Sequence, residues 1–161
     1  ANANIIYNSK VDGFSNQGLF EKVKGKKNVA VVAFTTEGYV FGGFYNVAIT
    51  QQNTNYKDPD MFVFSFESHG RCKTPKRFAV KDWLKRDAWV GFQSLQGLEH
   101  VAFVVEGAGC LRIGNNTLLS MCVNMSRSFQ GILETTLSGK NSNSEGTILD
   151  SLTQVIAVEL S

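Results

Sequence analysis

The run Asn28-Val-Ala-Val-Val-Ala-Phe34, the tetrad Thr35-Thr-Glu-Gly38 and the run Tyr39-Val-Phe-Gly-Gly-Phe-Tyr45 together decide the fold class. Both runs are short, apolar and rich in β-branched or aromatic residues, and the polar tetrad between them ends in glycine, so the three predict a β-hairpin. The Gly42-Gly43 pair inside the second strand predicts a bulge or another backbone packed close, because glycine otherwise weakens a strand. Asp58-Pro59 then interrupts pairing before Met61-Phe-Val-Phe-Ser-Phe-Glu67, where Phe62, Phe64 and Phe66 recur with period two and predict a buried sheet face. His100-Val-Ala-Phe-Val-Val105, Leu111-Arg-Ile113 and Val155-Ile-Ala-Val-Glu-Leu160 predict further strands, the last closing the domain. Helical signals are few. Ser15 caps an expected helix over Asn16 to Lys24, with Phe14 placed to pack on Leu19 and Gly25 to end it. Lys81 to Trp89 predicts a second turn or two, capped by Asp82. Few helices and no βα alternation give a fold that is mainly β with short helices, formally α+β.

With 161 residues the chain matches one domain at roughly 150 residues per domain, large enough to hold a core without disulfides or a metal. Its 43% hydrophobic and 11% aromatic content against 19% charged residues excludes a disordered tail, and two prolines exclude a proline-rich ligand. Apolar runs stay far below the roughly 18 to 20 residues of a membrane span. Ala1-Asn2-Ala3-Asn4 has neither the basic head nor the apolar stretch of a secretion signal, and the chain reads as one module, 1–161, excised from a longer protein. Cys72, Cys110 and Cys122 are too scattered and odd in number for a disulfide framework, which favours a reduced, cytoplasmic setting. There the sequons Asn115-Asn-Thr117 and Asn124-Met-Ser126 carry no meaning.

Charge is uneven: residues 1–90 hold thirteen bases against eight acids, residues 91–161 three against six. Lys22, Lys24, Lys26 and Lys27 form one basic cluster; Arg71, Lys73, Lys76, Arg77, Lys81, Lys85 and Arg86 form another, with Asp82 as its single acid. The second reads as a solvated face, or as a stripe that steers the domain toward an acidic protein, a phosphoinositide head group or nucleic acid, with Trp83 or Trp89 available to stack on bases.

Motifs with chemistry fall short. Asn8, Lys10, Asp12 and Gly13 mimic a calcium loop, but a lysine stands at a ligand position and Leu19 replaces the bidentate glutamate. Glu106-Gly-Ala-Gly-Cys-Leu-Arg-Ile-Gly114 follows an apolar strand, yet the next segment reads as a strand and offers no helix N-terminus for a pyrophosphate. His69 and Cys72 with Cys110 and Cys122 match no zinc-knuckle spacing, and no local pattern joins His100 to a thiol nucleophile. Nucleophile elbow, phosphate-binding loop and H-E-x-x-H are missing from the sequence. The expectation is a non-enzyme with neither metal nor cofactor.

Ile6-Tyr-Asn-Ser-Lys-Val-Asp-Gly-Phe-Ser15, the strand to Phe34, Thr36-Glu-Gly-Tyr-Val-Phe-Gly-Gly-Phe44 and Lys57-Asp-Pro-Asp-Met-Phe-Val-Phe-Ser-Phe66 resemble successive blocks of the TLDc domain family. Gly107-Ala-Gly-Cys-Leu-Arg-Ile113 resembles its later glycine-rich stretch, and Leu152 to Leu160 its closing strand. The resemblance implies a sandwich of two antiparallel sheets flanked by short helices. It further implies a non-catalytic protein-interaction domain linked to oxidation resistance, with the peripheral, ATP-hydrolysing sector of the vacuolar proton pump as partner. The family's glycines map to Gly13, Gly42, Gly43 and Gly109, whose expected role is structural. Its final strand carries a glutamate among aliphatic residues. Here Ala157 occupies that place and Glu159 follows two residues later on the same face, so either Glu159 substitutes or pump binding is weakened. Expected contact residues are Glu159, Arg77, Lys81 and Arg86. Two other readings stand beside this one: a thiol antioxidant acting through Cys72, whose neighbours Arg71 and Lys73 favour a thiolate, and a binder of nucleic acid or phosphoinositide through the stretch 71–86.

Overall fold

The computed structural model describes residues 2–95, 98–114 and 118–161; the sequon at 115–117 lies outside them. The strands are β1 (Ala3–Asn8), β2 (Val29–Thr35), β3 (Val40–Tyr45), β4 (Tyr56–Lys57), β5 (Phe62–Glu67), β6 (Lys76–Ala79), β7 (Ala88–Leu95), β8 (Leu98–Val105), β9 (Cys110–Ile113), β10 (Leu119–Val123) and β11 (Thr147–Leu160). Between them lie α1 (Ser9–Asp12), α2 (Asn16–Val23), a 3-10 helix (Asp82–Asp87) and α3 (Met125–Ser128). Every pairing is antiparallel, so the chain is mostly antiparallel sheet with a few short helices.

The strands follow one open path, β4-β7-β8-β9-β10-β11-β2-β3-β5-β6, with β1 added beside β11. The hinge of that path is β11. Its first part, Thr147 to Ser151, pairs with β10, while Leu152 to Glu159 pairs with β2 and Ile156 to Leu160 with β1. A register shift between Leu152 and Gln154 exchanges the inward parity: Ile148, Asp150 and Leu152 are buried before it, Val155 and Ala157 after it. A bulge of this kind bends the strand, and the bend carries β11 from one half of the path to the other.

The predicted hairpin is β2-turn-β3, in register from Val29 opposite Tyr45 to Phe34 opposite Val40. Inward go Val29, Val31 and Ala33 on β2, and Phe41 and Tyr45 on β3. Across the interior the Tyr45 ring lies 6.2 Å from Phe92 on β7 and 6.3 Å from Phe103 on β8, and α2 adds Phe20, 5.8 Å from Phe92. Each such ring contributes about 1.5 to 3 kcal/mol by leaving water. Ser15 caps α2 by accepting from the Gly18 N–H at 2.9 Å.

Three expectations are corrected. Phe62, Phe64 and Phe66 do share a face, but it is the outer one: Val63 and Ser65 point into the core, while Phe62 is half-buried and Phe66 is 55% exposed. Asp82 does not cap a helix; Lys81 precedes the 3-10 turn, no side chain caps it, and Asp82 is its first residue. Trp89 belongs to β7 rather than to a helix.

Directly opposed residues of an antiparallel pair share a face, and on the outer face of β1, β11, β2, β3, β5 and β6 this gives an unbroken apolar row, Ile5, Val158, Ala30, Phe44, Phe62 and Ala79. The next row runs Ile156, Val32, Gly42, Phe64 and ends on Arg77.

Candidate interaction surfaces

Glu159 stands near the end of β11, between Asn4 of β1 and Val29 of β2. Its carboxylate accepts from Lys26 Nζ at 2.9 Å, and both side chains are about one-third exposed. Lys26 follows the end of α2, so the pair pins that helix to the sheet margin while leaving a carboxylate edge open to water.

The cations of 71–86 go separate ways. Arg71, though exposed, folds back on its neighbours, donating from one nitrogen to Tyr39 Oη at 2.9 Å and to the Ser68 carbonyl at 3.0 Å, with its guanidinium 5.3 Å from the Tyr39 ring. Arg77, on β6, lies over the Phe62 ring at 5.5 Å, and Lys76 over Phe78 at 5.5 Å. Lys81 is fixed through its backbone N–H to the Ser128 carbonyl. Lys85 pairs with Asp82 at 3.0 Å and Arg86 with Asp87 at 3.6 Å. Trp83 is 71% exposed.

Two of the four mapped glycines touch the groove or the core by direct contact. A Cβ on Gly42 would overlap the Val31 carbonyl oxygen and meet the Phe64 ring, which lies over this glycine; a Cβ on Gly43 would strike Phe103. At Gly109 it would collide with the Asn124 carbonyl. Gly13 has open space around it, and its φ of +74° after α1 is what requires glycine.

The calcium-like residues are engaged otherwise: Asn8 accepts from the Lys10 N–H and caps α1, and Asp12 accepts from the Asn8 N–H. Gly107 and Gly109 form the tight turn from β8 into β9, where Val105 donates to the Gly109 carbonyl. His69 bonds the Glu37 carbonyl at 3.0 Å and packs edge-on against Tyr39. Among the described residues no three His, Cys, Asp or Glu side chains are grouped to share a metal ion. Cys110 and Cys122 are buried, and burial pushes both thiols up from their ordinary value. Cys72 is half-buried, beside a hollow also lined by Arg71, Lys73 and Lys76. His100 is held below its ordinary value, by burial first and then by Arg112.

Sequence reasoning missed two arrangements. Buried Asp150 meets Lys140 at 3.0 Å, and the same ammonium reaches Glu37 at 3.2 Å, so the bond to Asp150 raises the Lys140 pKa. The other is the groove on the outer face, lined by Phe44, Phe62, Phe64 and Phe66 beside Arg77. Its signal lay in β2 itself: a nearly continuous apolar run marks a strand with both faces out of water.

No helix among the described residues is long and apolar enough to cross a membrane. No curated protein matches the chain. The family model of the TLDc domain matches residues 1–98, the stretch from β1 through β7 that carries the hairpin, the phenylalanine strand and the basic segment. The chain belongs to the TLDc domain family.

Proposed function

We propose that this chain is a non-catalytic protein-interaction module of a longer cytoplasmic protein, acting in oxidation resistance by docking on the peripheral sector of the vacuolar proton pump. The observation that carries the reading is membership of the TLDc family over residues 1–98. The facing rings of Tyr45, Phe92 and Phe103 support a sandwich of two antiparallel sheets as the rigid body on which contacts are mounted. Glu159 and Arg77 are the accessible contact groups, with Lys81 just before the 3-10 helix and Arg86 within it.

The test is binding of the chain to purified peripheral sector, read as complex formation and as ATP hydrolysis, with Glu159→Ala and Arg77→Glu alongside. Binding lost in either variant supports the reading; a sector that neither binds nor changes its hydrolysis rate removes it.

A second reading, direct reaction of a thiol with oxidant, rests on Cys72 alone, since it is the one cysteine that is not buried. A Cys72 whose alkylation follows the ordinary thiol titration near 8.5 removes that reading.

A further inference from the structure

An antiparallel sheet with one wet face alternates apolar and polar residues. Here the outer face of the β6-β5-β3-β2-β11-β1 half breaks that rule over two consecutive rows. Ile5 is 60% exposed, Phe66 55% and Leu160 37%, an apolar surface of the kind that marks an interaction site. The face is also shaped. Between Phe66, Phe64, Phe62, Phe44 and Leu160 runs a groove of about 320 Å³, and a second hollow of about 370 Å³ continues it, sharing Phe44, Phe62 and Arg77. The Phe44 and Phe62 rings are stacked at 4.8 Å, and the Phe64 and Phe66 rings meet at 4.8 Å in a tilted pair, so the walls are preformed.

Charge on the rim is mostly positive. Lys76 and Arg77 border the groove, Arg77 and Lys85 the continuing hollow, with Lys85 paired to Asp82, and Asp60 is the single acid among the lining residues. Arg77 is positioned by its seat over Phe62, which presents a planar fork of donors at the groove wall, the geometry that suits a carboxylate.

We infer that this face docks a segment of a partner protein that places apolar side chains between the phenylalanine rings and carries Asp or Glu beside them, against Arg77. The inference rests on the reading of the chain as an interaction domain and specifies that partner's chemistry. A second copy of the chain fits less well, since it would bring another cationic rim to the same groove. A lipid surface fits less well too, since a walled groove selects inserted side chains.

The experiment selects random linear peptides displayed on phage against the intact chain, and repeats the selection on Phe66→Ser and Arg77→Glu, both changes at exposed positions, after confirming by thermal melting that each variant folds. The expected result is peptides enriched in apolar and acidic residues together, bound roughly tenfold or more weakly by each variant and more weakly by the parent as salt rises. Peptides without acidic enrichment, binding that both variants retain, self-association that Phe66→Ser abolishes, or preferential binding to phosphatidylserine vesicles that the same change abolishes would each overturn it. The two readings separate cleanly. Pump-sector binding that persists in both variants removes the groove and leaves the interaction domain standing, whereas acidic peptides held by the groove without pump-sector binding keep the groove and remove the pump.

Discussion

Phe103 of β8 covers Gly43 of β3 so closely that an added Cβ would lie 2.6 Å from its ring. The ring is fully buried and has no free end to swing aside. Gly43→Ala is therefore expected to overpack the interior and lower stability by about 1 to 3 kcal/mol. Gly13→Ala meets no neighbour, but a φ of +74° with a ψ of +157° is backbone that glycine alone adopts readily, so it costs a similar amount, about 1 to 3 kcal/mol, by strain. Urea unfolding separates the two causes: shortening the ring by Phe103→Leu should relieve the loss in Gly43→Ala and leave the loss in Gly13→Ala unchanged; no relief at Gly43 contradicts the packing account.

Removing Glu159 should barely touch the fold. Its pair with Lys26 is about one-third exposed on both sides, and an exposed pair contributes up to about 1 kcal/mol. Glu159→Ala is expected to melt within a few degrees of the parent, so that any loss of partner binding reports the contact itself. A large drop in melting temperature would mean that the pair anchors the end of β11.

His100 makes stability depend on acidity. Its ordinary value is 6.5, and burial together with Arg112 depresses it in the folded chain. Above 6.5 both states are neutral and the residue adds no pH dependence. As pH falls below 6.5 the unfolded chain gains a proton that the folded imidazole resists, so stability declines until pH passes the depressed value. Urea midpoints between about pH 8 and 5 should show this decline, and His100→Gln should flatten it. An unchanged slope in the variant assigns the acid sensitivity elsewhere.

The three thiols should react in two classes. Cys72 is half-buried and accessible; Cys110 and Cys122 are buried with their thiols pushed up. A disulfide reagent should consume one thiol quickly in the native chain and two more on unfolding, with Cys72→Ser removing the fast phase. Two fast thiols in the native state would contradict the burial of β9 and β10.

What was legible in the sequence was local. The β2–β3 hairpin announced itself through two apolar runs and a turn, and α2 through its serine cap. β1 stayed hidden because polar Asn4 and Asn8 interrupt it and its register slips between Ile5 and Tyr7. β7 stayed hidden behind Gly91, whose missing side chain lets the Thr54 carbonyl approach. The first half of β11 was masked by Asp150, a buried charge inside a strand, and by the parity exchange after Leu152. Period two showed that Phe62, Phe64 and Phe66 share a face; it carries no information on which side holds the core. At the candidate surfaces, Glu159 and Arg77 were visible as residues, but their partners were not: Lys26 lies 133 positions from Glu159, and Arg77 meets Phe62 across a strand pair.

Because β11 gives one edge to β10 and β1 and the other to β2, the long strand that joins both halves leaves the ribosome after every strand it pairs with. The β2–β3 hairpin emerges early, yet its open edge waits for residues beyond 150, and β1 at the other end of the chain has no strand partner until the same segment arrives, when Asn2 and Ser161 close the ladder with reciprocal backbone bonds of 2.9 Å. Until residue 160 has emerged, the nascent domain thus holds unpaired strand edges and bare aromatic rows, a state that invites chaperone binding. Its assembly is then committed in one step, when the closing strand joins the two waiting halves.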